Sequence, residues 1–410
     1  MRVKVLTVFG TRPEAIKLVP VIRAFNHDDG IDSRVCVTFQ HQEMLTQVLD
    51  LFDIKVDEQL ENYSSDHSEE NSLSHSLGRM VEGLGSVILR LKPDVVVVHG
   101  DTSSCLAGAL AAFYQQVPVV HIEAGLRTGN LAAPFPEEAH RQMVARIASL
   151  HLAPTERARA HLLAENIKAD SIYVTGNTVV DAVAIAMQQI KKQPQNYFGH
   201  DLQWQAGMEK YDFNRPLVLI TLHRRESHGE IFISLCEAIL QIARDNLNRT
   251  FVFPLHLNLA VSEPARRILG SSANIFLIPP QDYFSFIWLL DRAELVITDS
   301  GGVQEEAEVL GKPLLIVRDI CDRAESLGYS QATLVGTSAS ELVAQVGCFF
   351  SGAREFSGLH PNDNKKSASV FGDGHAAQRI VELIKWKYGN KLSAENIAPG
   401  ICSGARLNLI

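Results

Sequence analysis

The sequence predicts an α/β protein built of two doubly wound domains. Three observations carry that expectation. Apolar runs of strand length alternate with helix-length periodic segments, the pattern of a parallel sheet wound by helices. The alternation breaks across a polar stretch at 191–214 and restarts at residue 216. The 410 residues, at about 100 to 200 per domain, ask for two or three domains, each able to bury a core without disulfides or structural metals.

Residues 2–9 (RVKVLTVF) read as the first strand. GTRPE then turns the chain into a helix: Thr11 and Glu14 stand at capping-box spacing, and Pro13 falls in the first turn, where its missing N–H costs nothing. Ile16, Val19, Ile22 and Ala24 give that helix an apolar stripe, and Pro20 within it predicts a kink. Further strands are expected at 33–39, 94–100, 118–124, 150–154 and 171–176, completing one wound sheet. The second series comprises 216–222, 250–256, 274–280, 294–300 and 313–319. The carboxylate- and Ser-rich run at 57–72 reads as a solvated loop, the stretch 191–214 as a hinge neighbourhood, and 376–390 as a helix. The tail 391–410 has no clear period.

Composition narrows the function classes. With 46% hydrophobic and 21% charged residues, the chain is neither disordered nor fibrous. A net charge of −9 argues against nucleic acid as the main partner, because phosphate backbones call for clustered Lys and Arg. The apolar run at the N-terminus is too short for a secretory signal, and no window approaches the 18 or so apolar residues that a membrane helix needs, so a cytoplasmic protein is expected. Six scattered cysteines without ligand spacing read as reduced thiols, and no metal motif occurs. The chemistry is therefore expected from side chains alone, with no cofactor and no metal.

In open parallel sheets, ligands bind beyond the carboxyl ends of the strands. The polar residues at those ends include Arg12, Glu14 and Lys17, His99 and Asp101, and His121 and Glu123 in the first half. In the second they include His223, Arg224 and Arg225, His256, Gln281, and Asp299 with Ser300, Gly301 and Gly302. The run TDSGGVQEEAEVLG ends a strand, lets backbone amides approach through two glycines, and starts a helix: a cradle for a diphosphate, or a plain tight turn. Arg12, Lys17, Arg225 and Arg323 are the cations available to a diphosphate. Asp101, Glu123 and Glu137, beside His99, His121 and His223, make an acid/base set.

Nine ordered blocks now carry a resemblance: GTRPEAIK (10–17), QHQEML (40–45), HGDT (99–102), HIEAGLRTG (121–129), FPEEAHR (135–141), TGNTVVDA (175–182), HRRES (223–227), DSGGVQEEA (299–307) and GDGHAAQRI (372–380). They resemble the UDP-N-acetylglucosamine 2-epimerase family, in its non-hydrolysing bacterial branch. The resemblance implies two Rossmann-like domains of the GT-B type with the active site in the interdomain cleft. It divides the chain into residues 1–185, completed by a C-terminal helix near 374–390 that crosses back, residues 186–373 as the UDP-binding domain, and the tail. It also implies a homodimer, no redox cofactor, and interconversion of UDP-N-acetylglucosamine and UDP-N-acetylmannosamine by anti elimination of UDP to 2-acetamidoglucal and re-addition. The family supplies mannosamine precursors for surface polysaccharides.

Carried over block by block, Asp101, Glu123 and Glu137 are the acid/base candidates, with His223 a leaving-group or phosphate partner. Arg12, Lys17, Gln281, Phe286, Ser300, Gly301, Gly302, Glu306 and Arg323 match positions that hold UDP. Gln40, His41, Gln42, Arg224 and Arg225 match an allosteric or cleft region, which in several bacterial relatives binds a second UDP-N-acetylglucosamine. Gln42 stands where the family has Arg, His140 where Asn is common, and Ala324 where Pro is usual. The motifs leave a hydrolysing epimerase, an epimerase of a modified UDP-sugar and a GT-B glycosyltransferase as alternatives.

Overall fold

The computed structural model describes residues 2–38, 42–60, 72–192, 215–224, 228–256, 258–319, 331–352 and 369–389. Two wholly parallel sheets form its two halves. The first contains β1 (Val3–Phe9), β2 (Ile31–Val37), β3 (Glu58–Gln59), β4 (Val95–His99), β5 (Val119–Ile122), β6 (Leu150–Ala153) and β7 (Ile172–Val174), in the order β3-β2-β1-β4-β5-β6-β7. Around it lie α1 (Arg12–Asn26), α2 (Gln42–Leu51), α3 (Leu73–Leu91), α4 (Ser103–Tyr114), α5 (Glu137–Ile147), α6 (Glu156–Ala164) and α7 (Thr178–Lys192).

The second sheet contains β8 (Leu217–Thr221), β9 (Thr250–Pro254), β10 (Ile275–Ile278), β11 (Ala293–Thr298), β12 (Leu314–Ile316) and β13 (Ala332–Leu334), in the order β10-β9-β8-β11-β12-β13. Its helices are α8 (Glu230–Asp245), α9 (Leu259–Leu269), α10 (Tyr283–Arg292), α11 (Gly301–Val309) and α12 (Ala339–Phe350), and α13 (Ala376–Tyr388) follows. Strand order reverses between β1 and β4 and again between β8 and β11, which places two ligand crevices at the carboxyl ends of these pairs.

The central strands are apolar on both faces because helices cover both faces. Val95 to Val98 are all fully buried, as are Val218 to Ile220. At the end of β1 the chain runs close to its neighbours: a Cβ on Gly10 would stand 2.0 Å from Thr38 Oγ1 and 2.2 Å from Ser104 Oγ, so only glycine fits there.

Two expectations need correction. The run 57–72 is not loop throughout, since Glu58 and Gln59 pair with Cys36 and Val37 as the edge strand β3; residues 61–71 lie outside the described residues. The second strand begins at Ile31, two residues before the apolar run, and ends at Val37. Of the hinge stretch 191–214, Lys191 and Lys192 end α7 and the rest lies outside the described residues, as does the tail 391–410.

The halves meet through side chains. Phe52, just after α2, stacks edge-on against Phe284 of α10 at 4.9 Å, and α7 packs on α10 and α11. The helix α13 lies on the first half although it follows the second. Asp181 of α7 accepts the amides of Ala376 and Ala377 at 3.3 and 3.0 Å, Lys385 pairs with Asp28 at 2.9 Å, and the Tyr388 hydroxyl meets Ser149 at 3.0 Å. Among the described residues, no helix is long and apolar enough to cross a membrane.

Candidate active site

The first wall begins at the N-terminus of α1. Thr11 caps the helix, and the reciprocal bond from Glu14 completes the capping box. Glu14 Oε2 accepts from the amides of Gly10 and Thr11 and from the Thr11 hydroxyl, while Oε1 accepts from Thr102 at 2.6 Å. One buried carboxyl thus ties the β1–α1 turn to the β4–α4 turn. Burial raises its pKa to about 7, although each of those bonds pulls the other way. Arg12, which opens the helix, donates to the Gln281 carbonyl across the divide at 3.1 Å. Burial lowers the pKa of its guanidinium, opposed by the charges of Glu306 and Asp282.

The carboxylates of the acid/base set are held differently. Asp101 Oδ2 receives Nε and Nη2 of Arg141 at 2.8 and 2.7 Å, and the Asp101 carbonyl meets His140 Nδ1 at 2.8 Å. The same Arg141 reaches the buried Glu138 at 3.2 Å, and Glu138 accepts the amides of Thr128 and Gly129. Burial would raise the Glu138 pKa, but the Thr128 amide, Gln142, the Gly129 amide and Arg141 together hold it lowered. Glu123 sits just past β5 at φ 63°, a left-handed conformation that costs a non-glycine residue about 1–2 kcal/mol. Its carboxylate is paired with the ammonium of Lys17. Glu137 is the first residue of α5 and half-buried. His121 bonds the Gly100 carbonyl through Nε2 at 2.7 Å, and burial depresses its pKa to about 3, so it stays neutral at the base of the Asp101 turn.

The second wall is organised by Asp299, fully buried at the end of β11. Its Oδ2 accepts the amides of His223 and Arg224 at 2.9 and 2.8 Å, and its Oδ1 lies 3.5 Å from His223 Nδ1. The His223 ring stacks on His256 at 5.5 Å. Burial lowers the His223 pKa, against the attraction of Asp299 and with the repulsion of Arg224 and His228. Ser300 precedes the first turn of α11, and a Cβ added to Gly302 would meet no atom within 4 Å. That open space is the cleft. Glu306, one turn further on, has a pKa raised to about 8 by burial first and then by the charge of Glu305, with Lys17 and Arg12 pulling it back.

Between the walls lies a cleft of about 310 Å³, lined from the first half by Arg12 and Lys17 and from the second by His223, Gln281, Ser300 and Glu306 among others. Phe286 and Gly302 also line it, whereas Asp101, Glu123, Glu137, Gly301 and Arg224 do not. Glu123 is joined to the cleft through Lys17. Arg323, Arg225, Gln40 and His41 lie outside the described residues, as does the side chain of Gln42. Among the charges that hold this site in shape, the motifs did not single out Arg141, Glu138 and Glu305. FPEEAHR and DSGGVQEEA contain them, but adjacent residues on a helix face different ways, and sequence does not say which of two neighbouring glutamates points inward. Among the described residues, no group of three or more His, Cys, Asp or Glu side chains gathers as a metal site would require.

Comparison with known proteins agrees with the nine blocks. A family model described as UDP-N-acetylglucosamine 2-epimerase matches residues 23–385. The chain is 44% identical over 385 residues to a protein of Salmonella typhimurium named UDP-N-acetylglucosamine 2-epimerase, covering 93% of this chain and 98% of that protein. The crystal structure of UDP-GlcNAc 2-epimerase from Neisseria meningitidis bound to UDP-GlcNAc matches with a TM-score of 0.84 at 40% identity, covering 93% of this chain and 99% of that one. The Methanocaldococcus jannaschii UDP-GlcNAc 2-epimerase in complex with UDP-GlcNAc and UDP matches with a TM-score of 0.77 at 31% identity, covering 94% of this chain and all of that one.

Proposed function

The chain belongs to the UDP-N-acetylglucosamine 2-epimerase family, and from that premise we propose that it is a cytoplasmic, non-hydrolysing epimerase interconverting UDP-N-acetylglucosamine and UDP-N-acetylmannosamine. The observation that carries this reading is the cleft itself. It joins a helix N-terminus suited to a diphosphate, Ser300 to Gly302, with a cation from the opposite wall, Arg12, and stands one side chain away from a buried carboxylate, Glu123.

The proposed reaction proceeds in two halves. A carboxylate of the set Asp101, Glu123 and Glu137 takes the C2 proton while the bond from C1 to the UDP oxygen breaks. The C2–H electron pair becomes the C1–C2 double bond, and the C1–O pair leaves with UDP. Proton removal alone is too slow at so weak an acid, so coupling it to departure of UDP is what makes the step accessible. The diphosphate stays at the N-terminus of α11, where unpaired amides and the helix dipole stabilise its growing charge, beside Arg12 and His223. UDP then returns to C1 as a proton is delivered to the other face of C2.

Incubation of the protein with UDP-N-acetylglucosamine in heavy water, followed by proton NMR, tests the reading. UDP-N-acetylmannosamine carrying deuterium at C2 is the expected product. Accumulation of free sugar and UDP would make the protein a hydrolysing enzyme instead. The reading includes a homodimer, supported by the exposed Leu73, Leu89, Phe113, Tyr114 and Met143 on α3, α4 and α5, three helices packed in sequence on one side of the first sheet. Sedimentation of wild type and of Tyr114→Glu tests it, with dimer expected for the first and monomer for the second.

A further inference from the structure

Lys17 reaches two carboxylates at once, one from each half. Its ammonium pairs with Glu123 and stands 2.6 Å from Glu305 Oε2 on α11. All three groups are buried: the side chains of Lys17, Glu123 and Glu305 are 8%, 6% and 0% exposed. One ammonium therefore contacts two buried carboxyl groups that belong to different halves. Buried contacts of this kind depend strongly on their geometry, so a displacement of either carboxyl group is felt at the shared ammonium.

Glu305 and Glu306 divide their work by helix geometry. Consecutive residues on a helix point about 100° apart. Glu306 lines the cleft, while Glu305 is not part of its lining and instead contacts the ammonium of Lys17, which is. Glu123, at the other end of the bridge, has a backbone φ of 63° and pairs with the same ammonium. Moving the halves apart would break the Lys17–Glu305 contact and leave the Lys17–Glu123 pair intact, because Lys17 and Glu123 share the first half.

We propose that Glu305 is a positioning residue: by sharing Lys17 with Glu123, it makes the alignment of Glu123 depend on closure of the two halves over the ligand. The consequence for the reaction is a built-in order. UDP-sugar binds, the halves close, the ammonium is drawn between both carboxylates, and only then does Glu123 stand as the reaction requires. This rests on the epimerase reading for the role of Glu123, but the bridge and its link to closure do not depend on which sugar reacts.

The test uses the full chain with Glu305→Gln, which keeps the shape and removes the charge, and Glu305→Asp, which keeps the charge and shortens the reach. Turnover of UDP-N-acetylglucosamine, UDP affinity by calorimetry and the change in radius of gyration on UDP saturation by X-ray scattering are measured for each. For Glu305→Gln, kcat falls at least about tenfold with KM and UDP affinity within about threefold of wild type, the split expected when alignment rather than binding is lost. Its compaction on binding UDP is smaller than that of wild type, and Glu305→Asp recovers part of both losses. A wild-type kcat in Glu305→Gln would overturn the proposal, and so would a loss of UDP affinity in step with kcat. If wild type itself failed to epimerise, the functional reading would fall, while equal compaction in wild type and Glu305→Gln would independently sink the bridge.

Discussion

At Glu123 a strained backbone, a buried carboxylate and a shared lysine coincide. Replacing it with Gln keeps the side-chain shape and removes the proton-transfer group proposed for it, so turnover is expected to fall by about 10² to 10⁴, the range that general acid–base groups supply, with UDP affinity intact. Turnover at the wild-type rate would leave that carboxylate without a proton-transfer role. Asp299 has a structural duty legible only in three dimensions. Because its Oδ2 holds the amides of His223 and Arg224, Asp299→Ala is expected to lower unfolding free energy in urea by about 1–3 kcal/mol, the cost of leaving buried donors unpaired. An unchanged urea midpoint would refute this. The sequence pointed to Asp299 as a strand-end carboxylate. It did not reveal that the residue holds two backbone amides, since the partners lie 75 and 76 positions away.

The elements follow from local rules wherever those rules are strong. The box at Thr11 and Glu14 marks the start of α1, and the valine run of β4 marks a strand covered on both faces. The rules weaken at the sheet edges. Strands β3 and β13 are two and three residues long, too short for any periodicity, and exist because a neighbouring edge offers free hydrogen-bonding groups. The first turn of α11 allows a clean test of a ligand-facing element. Gly302→Ala adds a methyl that touches no protein atom, so the fold should keep or slightly gain stability, by about 0.4–1 kcal/mol for a helical Gly→Ala change. UDP affinity by calorimetry should nevertheless drop, because Gly302 lines the cleft proposed to hold the diphosphate. Unchanged affinity would remove the diphosphate from this turn.

Over the whole molecule, buried titratable groups set opposing pH limits. His121 and His151 are held near pKa values of about 3 and about 4 by burial, below the usual 6.5, so the folded chain binds fewer protons than the unfolded one between those limits. Stability is therefore lost as pH falls below about 6.5. Glu14 and Glu306, raised to about 7 and about 8 from 4.5, act with the opposite sign. The folded chain binds more protons there, so stability is lost as pH rises from about 4.5 through 8. Between 4.5 and 6.5 the two pairs offset each other. Urea unfolding across pH 4 to 9 should accordingly show a plateau in that window and a decline on each side, with the alkaline decline reduced in Glu306→Gln. An alkaline limb unaltered in that variant would count against the assignment.

The sequence by itself determined the two wound halves, the family and the identity of most candidate groups, because strand runs, caps and ordered motif blocks are local properties of the chain. The tertiary structure decided which charges meet. It put one lysine between two carboxylates, Glu123 and Glu305, that both lie far downstream of it and belong to different halves, hung Asp101 on an arginine 40 residues away, and laid the last helix on the first half. Such pairings depend on where strand ends converge and on which face of a helix turns inward. Both are set by sheet order and by the packing of the halves on one another, and neither is written in spacing along the chain.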